Sequence, residues 1–116
     1  MKAIYICSPY RANHVETALR NLDYAQELTR AVLLNGDTAI TPHLYMTQCL
    51  DDTGPEREIG LEAGLELIKR CDEMLVGTKY GISEGMEREI RYARNHNIHI
   101  EYTYESNIED AKREKE

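Results

Sequence analysis

Apolar and polar positions along the chain follow two rhythms, and they alternate. Lys2 to Cys7 ("KAIYIC") is a short β-type run that ends in the loop "SPYRAN". From His14 to Asn35, residues Val15, Leu19, Leu22, Ala25, Leu28 and Val32 recur every three or four positions, which predicts a long amphipathic helix. Asn35-Gly36 is a stop signal for it. "DTAITPH" predicts a second strand, "LYMTQCL" a helical turn or two, and "DDTGPE" a loop. A helix is expected over Glu58–Arg70, a strand in "DEMLVGT", a helix over Glu84–Asn95 and a last strand in "NIHIEY". The charged "ESNIEDAKREKE" reads as a tail or a short terminal helix, so one domain is expected over 1–104 with a tail at 105–116.

Strands that alternate with helices imply βαβ units and a parallel sheet. The expected fold is therefore α/β, a small Rossmann-like or flavodoxin-like three-layer sandwich with four or five parallel strands. Ligands in such folds sit at the carboxyl ends of the strands. Three loops answer that description: "SPYRAN", "TPH" and "TKYGISEG".

Composition narrows the function classes. A net charge of -7 leaves no basic stripe for nucleic acid and no polybasic surface for a membrane. No apolar run approaches the roughly 20 residues that span a bilayer. Cys7, Cys49 and Cys71 are scattered and odd in number, which suits a reducing cytoplasm better than a disulfide framework. The four histidines lack metal-ligand spacing, so no metal and no cofactor are expected. A chain of 116 residues has a modest core, and a homo-oligomer is expected to supplement it.

The chemistry is concentrated in "GISEGMEREIRYA", Gly81 to Ala93. Ser83 is a good N-cap and Gly85 permits close approach to the backbone, so the helix start can hold an anion such as phosphate, or be a plain cap. Glu84 can pair with Arg88 and Glu87 with Arg91, each four residues on. Glu89 has no such partner. Met86, Ile90 and Ala93 share one helix face, and Glu89 falls about 40° from Ala93, at the edge of that face. A carboxylate there is partly desolvated and directed, as a nucleophile must be. Ser8 and Arg11 in the first loop offer a hydroxyl and a forked cation. Tyr5 lies just upstream on the first strand, and His43 lies in the second loop.

Taken together these residues resemble the nucleoside 2-deoxyribosyltransferase superfamily. The resemblance is nearest to its branch of deoxynucleoside monophosphate N-glycosidases, and extends to the deoxyribosyltransferase-like proteins of phages and bacteria. The branch's signature Ser-x-Gly-x-x-x-Glu-x-x-x-Ala is met by Ser83, Gly85, Glu89 and Ala93 without a gap, and its opening strand and loop by "YICSPYR". The resemblance implies that Glu89 attacks the anomeric carbon and that Tyr5 positions it. It further implies that Ser8, Arg11, Ser83 and Gly85 hold a 5′-phosphate and that His43 lines the base pocket. The transferases carry Asp where Ser83 stands, which favours a hydrolase of monophosphates. The acid that protonates the leaving base falls in register with Gly64, which Glu62 and Glu66 flank, and Glu62 is taken as the candidate.

The expected function is thus hydrolysis of the base–sugar bond of a nucleoside 5′-monophosphate through a covalent glycosyl-Glu89 intermediate. Two alternatives stand beside it: a non-catalytic nucleotide binder or sequestering protein on the same scaffold, and a nucleoside deoxyribosyltransferase. In each the partner is a small nucleotide or nucleoside.

Overall fold

The structure is a computed structural model that describes residues 1–103. The terminal segment expected over 105–116 lies outside the described residues. Four strands, β1 (Ala3–Cys7), β2 (Thr38–Ile40), β3 (Glu73–Gly77) and β4 (His99–Thr103), form one sheet in the order β2-β1-β3-β4. All three pairings are parallel, with Tyr5 opposite Ile40 on one side and opposite Met74 on the other. The helices are α1 (Val15–Leu34), α2 (Met46–Cys49), α3 (Gly54–Arg70) and α4 (Glu84–Asn95). The expected α/β fold with a parallel sheet is what forms.

β1 is apolar along its length because both of its faces are covered, as in parallel sheets generally. Ile4 and Ile6 point to one face, where Tyr24, Leu28 and Val32 of α1 pack on them with Leu75. Tyr5 and Cys7 point to the other, into a core with Ile68 of α3, Met74 and Val76 of β3, and Met86, Ile90 and Ala93 of α4. The two sets make three layers. The chain reverses its direction of travel across the sheet between β1 and β3, so the crevice for a ligand lies beyond their carboxyl ends.

Element limits agree closely for α1, which His14 and Asn35 cap. Gly36, at φ 95°, supplies the left-handed turn that ends it. A 3-10 turn over Pro42–Leu44 leads into the "LYMTQCL" segment, which contains α2. α3 differs from expectation: it begins at Gly54 rather than Glu58. Pro55 sits in its first turn, where the missing N–H costs nothing, so residues read as a loop are helical.

Candidate functional site

Tyr5 is 1% exposed, and its hydroxyl donates to Glu89 Oε2 at 2.5 Å. The contact joins residues 84 positions apart, from β1 to the second turn of α4. Burial raises the Glu89 carboxyl above the ordinary glutamate range. Hydrogen bonds from Tyr5 and from the Cys7 thiol, then the charge of Arg88, pull it back down without cancelling the rise. Burial first, and Glu89 second, hold the Tyr5 phenol and the Cys7 thiol well above their usual values, so both keep their protons. The Cys7 Sγ also lies 3.9 Å from the Met86 carbonyl. Gly64 of α3 faces the same pair: a Cβ there would sit 3.5 Å from the Tyr5 hydroxyl oxygen and 3.9 Å from Glu89 Oε2. Its missing side chain leaves space in front of the carboxylate.

That space has two lobes. The larger, about 380 Å³, is bounded by Ser8 and Arg11 of the first loop, by Arg57 of α3, and by Ser83, Gly85 and Arg88 at the start of α4. The smaller, about 100 Å³, runs between Tyr5, the segment from Pro42 to Asp52, and the face of α3 that carries Gly60 and Gly64. Glu89, Tyr10, His43, Asp52, Arg57 and Leu61 border both.

Polar groups in the larger lobe are left ready for a ligand. Ser83 caps α4, its Oγ accepting the Met86 N–H at 3.3 Å, and Met86 Sδ accepts the Ser83 N–H at 3.5 Å. The rest of the first turn presents its N–H groups and the positive end of the helix dipole. Ser8 is 1% exposed and its Oγ has no hydrogen-bond partner. Asp52 bridges two arginines, 3.4 Å from Arg11 Nε and 3.5 Å from Arg57 Nε. The Arg57 contact is an ion pair without hydrogen-bond geometry, so its shielded Nε–H lacks an acceptor. Among the described residues, the two buried side-chain polar atoms without a partner, Ser8 Oγ and Arg57 Nε, belong to residues that line this one cleft. Buried polar groups are rarely left unsatisfied without a reason. At the border of the lobes His43 stacks on Tyr10, ring centroids 4.9 Å apart and planes at 14°. Burial lowers the His43 pKa, which keeps the ring neutral.

The fold therefore gathers Tyr5, Ser8, Arg11, His43, Ser83, Gly85 and Glu89 around one connected cleft. Glu62 is not brought there: it is exposed on α3 and lines neither lobe. Glu66 is also exposed and binds Arg70 Nε at 2.7 Å. The face of α3 turned to the cleft is that of Arg57, Gly60, Leu61 and Gly64, and Glu62 and Glu66 fall off it. The two expected pairs on α4 do not close either, since the ion pairs among the described residues lie elsewhere. Arg88 borders the cleft instead. Sequence reasoning missed Tyr10, Asp52 and Arg57. Arg57 was findable: starting α3 at the Gly54-Pro55 signal puts residues 57, 60, 61 and 64 on one helical face.

Among the described residues, no group of three or more His, Cys, Asp or Glu could hold a metal ion, and no helix is long and apolar enough to cross a membrane. No curated protein matches the chain. Among solved structures it is similar to the 2-deoxyribosyltransferase of the psychrotolerant bacterium Bacillus psychrosaccharolyticus. The TM-score is 0.69, with 18% sequence identity over 87% of this chain and 71% of that one, a likeness of fold. Residues 2–103 match the model of a family described as a domain of unknown function, DUF7768, and the chain belongs to that family.

Proposed function

We propose that the protein is an N-glycosidase that cleaves the base–sugar bond of a nucleoside 5′-monophosphate, with Glu89 as nucleophile. The observation that carries the reading is the Tyr5–Glu89 bond at the junction of the two lobes, a buried carboxylate aimed by a phenol that stays protonated. The likeness of fold to a 2-deoxyribosyltransferase supports it. The phosphate occupies the larger lobe, where Ser8, Arg11, Arg57 and the α4 start supply donors. The anomeric carbon then lies against Glu89 and the base in the smaller lobe.

The chemistry is that of a retaining glycosidase. A Glu89 oxygen forms a bond to the anomeric carbon as the carbon–nitrogen bond breaks. The bonding pair leaves with the base, which takes up one proton. Water then attacks the same carbon, loses a proton, and returns Glu89 as a carboxylate, so nucleotide and water become free base and sugar phosphate. Partial desolvation strengthens the carboxylate as a nucleophile, while Tyr5 and Cys7 keep enough of it ionised to act.

A second reading, a nucleotide binder without turnover, is favoured by one observation: Glu62 and Glu66 stand outside the cleft, which leaves the departing base without a proton donor from α3. Transfer of the glycosyl group to a second base, instead of water, fits the same nucleophile. The deciding experiment incubates the protein with nucleoside monophosphates and follows base release by chromatography, with and without an acceptor base. Release by wild type and its loss in Glu89→Ala, with nucleotide binding retained, supports the first reading. Full turnover by Glu89→Ala refutes it, and tight binding without release supports the second.

A further inference from the structure

We infer that Gly64 sets the sugar specificity: its missing side chain admits a 2′-hydroxyl beside Glu89, so the site takes ribonucleoside 5′-monophosphates. The inference rests on the proposed attack of Glu89 on the anomeric carbon.

Gly64 stands in the interior of α3, where alanine is the more favourable residue. Its backbone does not require a glycine, because it is not among the residues with positive φ. Packing does not require one either. The atoms nearest to a Cβ at this position would be the Tyr5 hydroxyl oxygen at 3.5 Å and Glu89 Oε2 at 3.9 Å, both ordinary contacts. Gly77 is the opposite case, since a Cβ there would lie 2.6 Å from Leu28 Cδ1. The chain therefore leaves out a methyl group that its fold would accept and its helix would favour. It does so at a position that faces the Tyr5–Glu89 pair.

Stereochemistry says what fills the space. The nucleophile attacks from the face of the sugar opposite to the base. In a ribonucleotide the 2′-hydroxyl stands on that same attacked face, on the carbon next to the anomeric one. It must lie beside the Glu89 carboxylate, within reach of the phenol. Tyr5 gives its hydrogen to Glu89 Oε2, so its oxygen keeps a lone pair to accept another bond. The 2′-hydroxyl can donate to that oxygen or to Glu89, and bonds to this hydroxyl strengthen in the transition state of glycoside hydrolysis. Tyr5 is buried, so a 2′-deoxy sugar leaves its acceptor unused in a place short of water. A side chain at 64 would crowd the hydroxyl and spare the deoxy sugar.

The test measures calorimetric binding of ribose 5-phosphate against 2-deoxyribose 5-phosphate. It adds base release from AMP, CMP, GMP and UMP against their 2′-deoxy counterparts. Wild type should bind the ribose form roughly fivefold more tightly, the effect of one hydrogen bond. Gly64→Ala should lower the ribo/deoxy ratio by about the same factor in binding and in kcat/KM, and Tyr5→Phe should lower it in binding, while inorganic phosphate still competes equally well. Gly64→Ala should melt no lower than wild type. Equal or weaker binding of the ribose form overturns the inference, as does cleavage confined to deoxynucleotides, a ratio unchanged in Gly64→Ala, or a lower melting temperature for that variant. The proposed function fails separately: no base release from any of the nucleotides sinks the glycosidase, while the two sugar phosphates still read the space at Gly64.

Discussion

Replacing Tyr5 by Phe isolates the hydroxyl that aims Glu89. The ring keeps its place in the core, so packing is nearly conserved and the 2.5 Å bond to Oε2 is what disappears. A hydrogen bond to a charged group contributes about 1.5–3 kcal/mol and one between neutral groups about 1 kcal/mol. Tyr5 favours the ionised form of Glu89, against the burial that raises its pKa. The loss should therefore be largest where Glu89 is ionised and should shrink as the pH falls through its native pKa. Urea unfolding should show Tyr5→Phe less stable than wild type by about 1.5–3 kcal/mol at pH 7, narrowing to about 1 kcal/mol once the carboxyl is protonated. If the bond also positions the nucleophile, base release drops roughly ten- to a hundredfold by the same free energy. A stability loss that is constant from pH 8 to pH 4, or that grows on acidification, would refute the reasoning.

Glu89→Gln should have the opposite sign at neutral pH. The native state binds the Glu89 proton more tightly than the unfolded chain does, so wild type gains stability as the pH falls from the raised native value toward about 4.3, the ordinary value. The glutamine variant lacks that gain, should be the more stable protein at pH 7, and should lose its lead in acid; a less stable variant at pH 7 by thermal melting contradicts this. Arg11→Ala should weaken a monophosphate much more than its parent nucleoside by calorimetry, and equal losses would contradict the phosphate assignment. Gly77→Ala should cost about 1–3 kcal/mol in urea unfolding, because a Cβ there would lie 2.6 Å from Leu28 Cδ1 and 2.7 Å from the Tyr24 hydroxyl; an unchanged midpoint would contradict that contact. Light scattering at micromolar concentration should give at least a dimer, and a strict monomer would count against the expected homo-oligomer.

The layers were legible because period and punctuation agreed. Alternating apolar rhythms mark β1, α1, β3 and α4, and Asn35-Gly36 ends α1 where the structure ends it. Glu89 stood out because it sat at the edge of an apolar face without a charge partner, and the structure supplies its partner from β1. Tyr10 and Asp52 were not legible. Each lies in a loop, where position follows from tertiary contacts such as the His43 stack and the two arginines, and no periodicity points there. Glu62 was misread for a related reason. Closeness in sequence to Gly64 was taken for closeness in space, yet two residues along a helix is about 200° of rotation.

The Tyr5–Glu89 contact also has a history within each molecule. The first strand leaves the ribosome as "AIYIC", uncharged and β-prone, long before its main partner β3 exists. β2 can cover one edge of it after α1, but the edge that β3 takes stays open through α3, and such a segment is a hazard while unpaired. Only when α4 has emerged can the carboxylate meet the phenol. The Tyr5–Glu89 pair is thus assembled only after α4 has been made, and a chain stopped before α4 carries the aggregation risk of the strand without the pair.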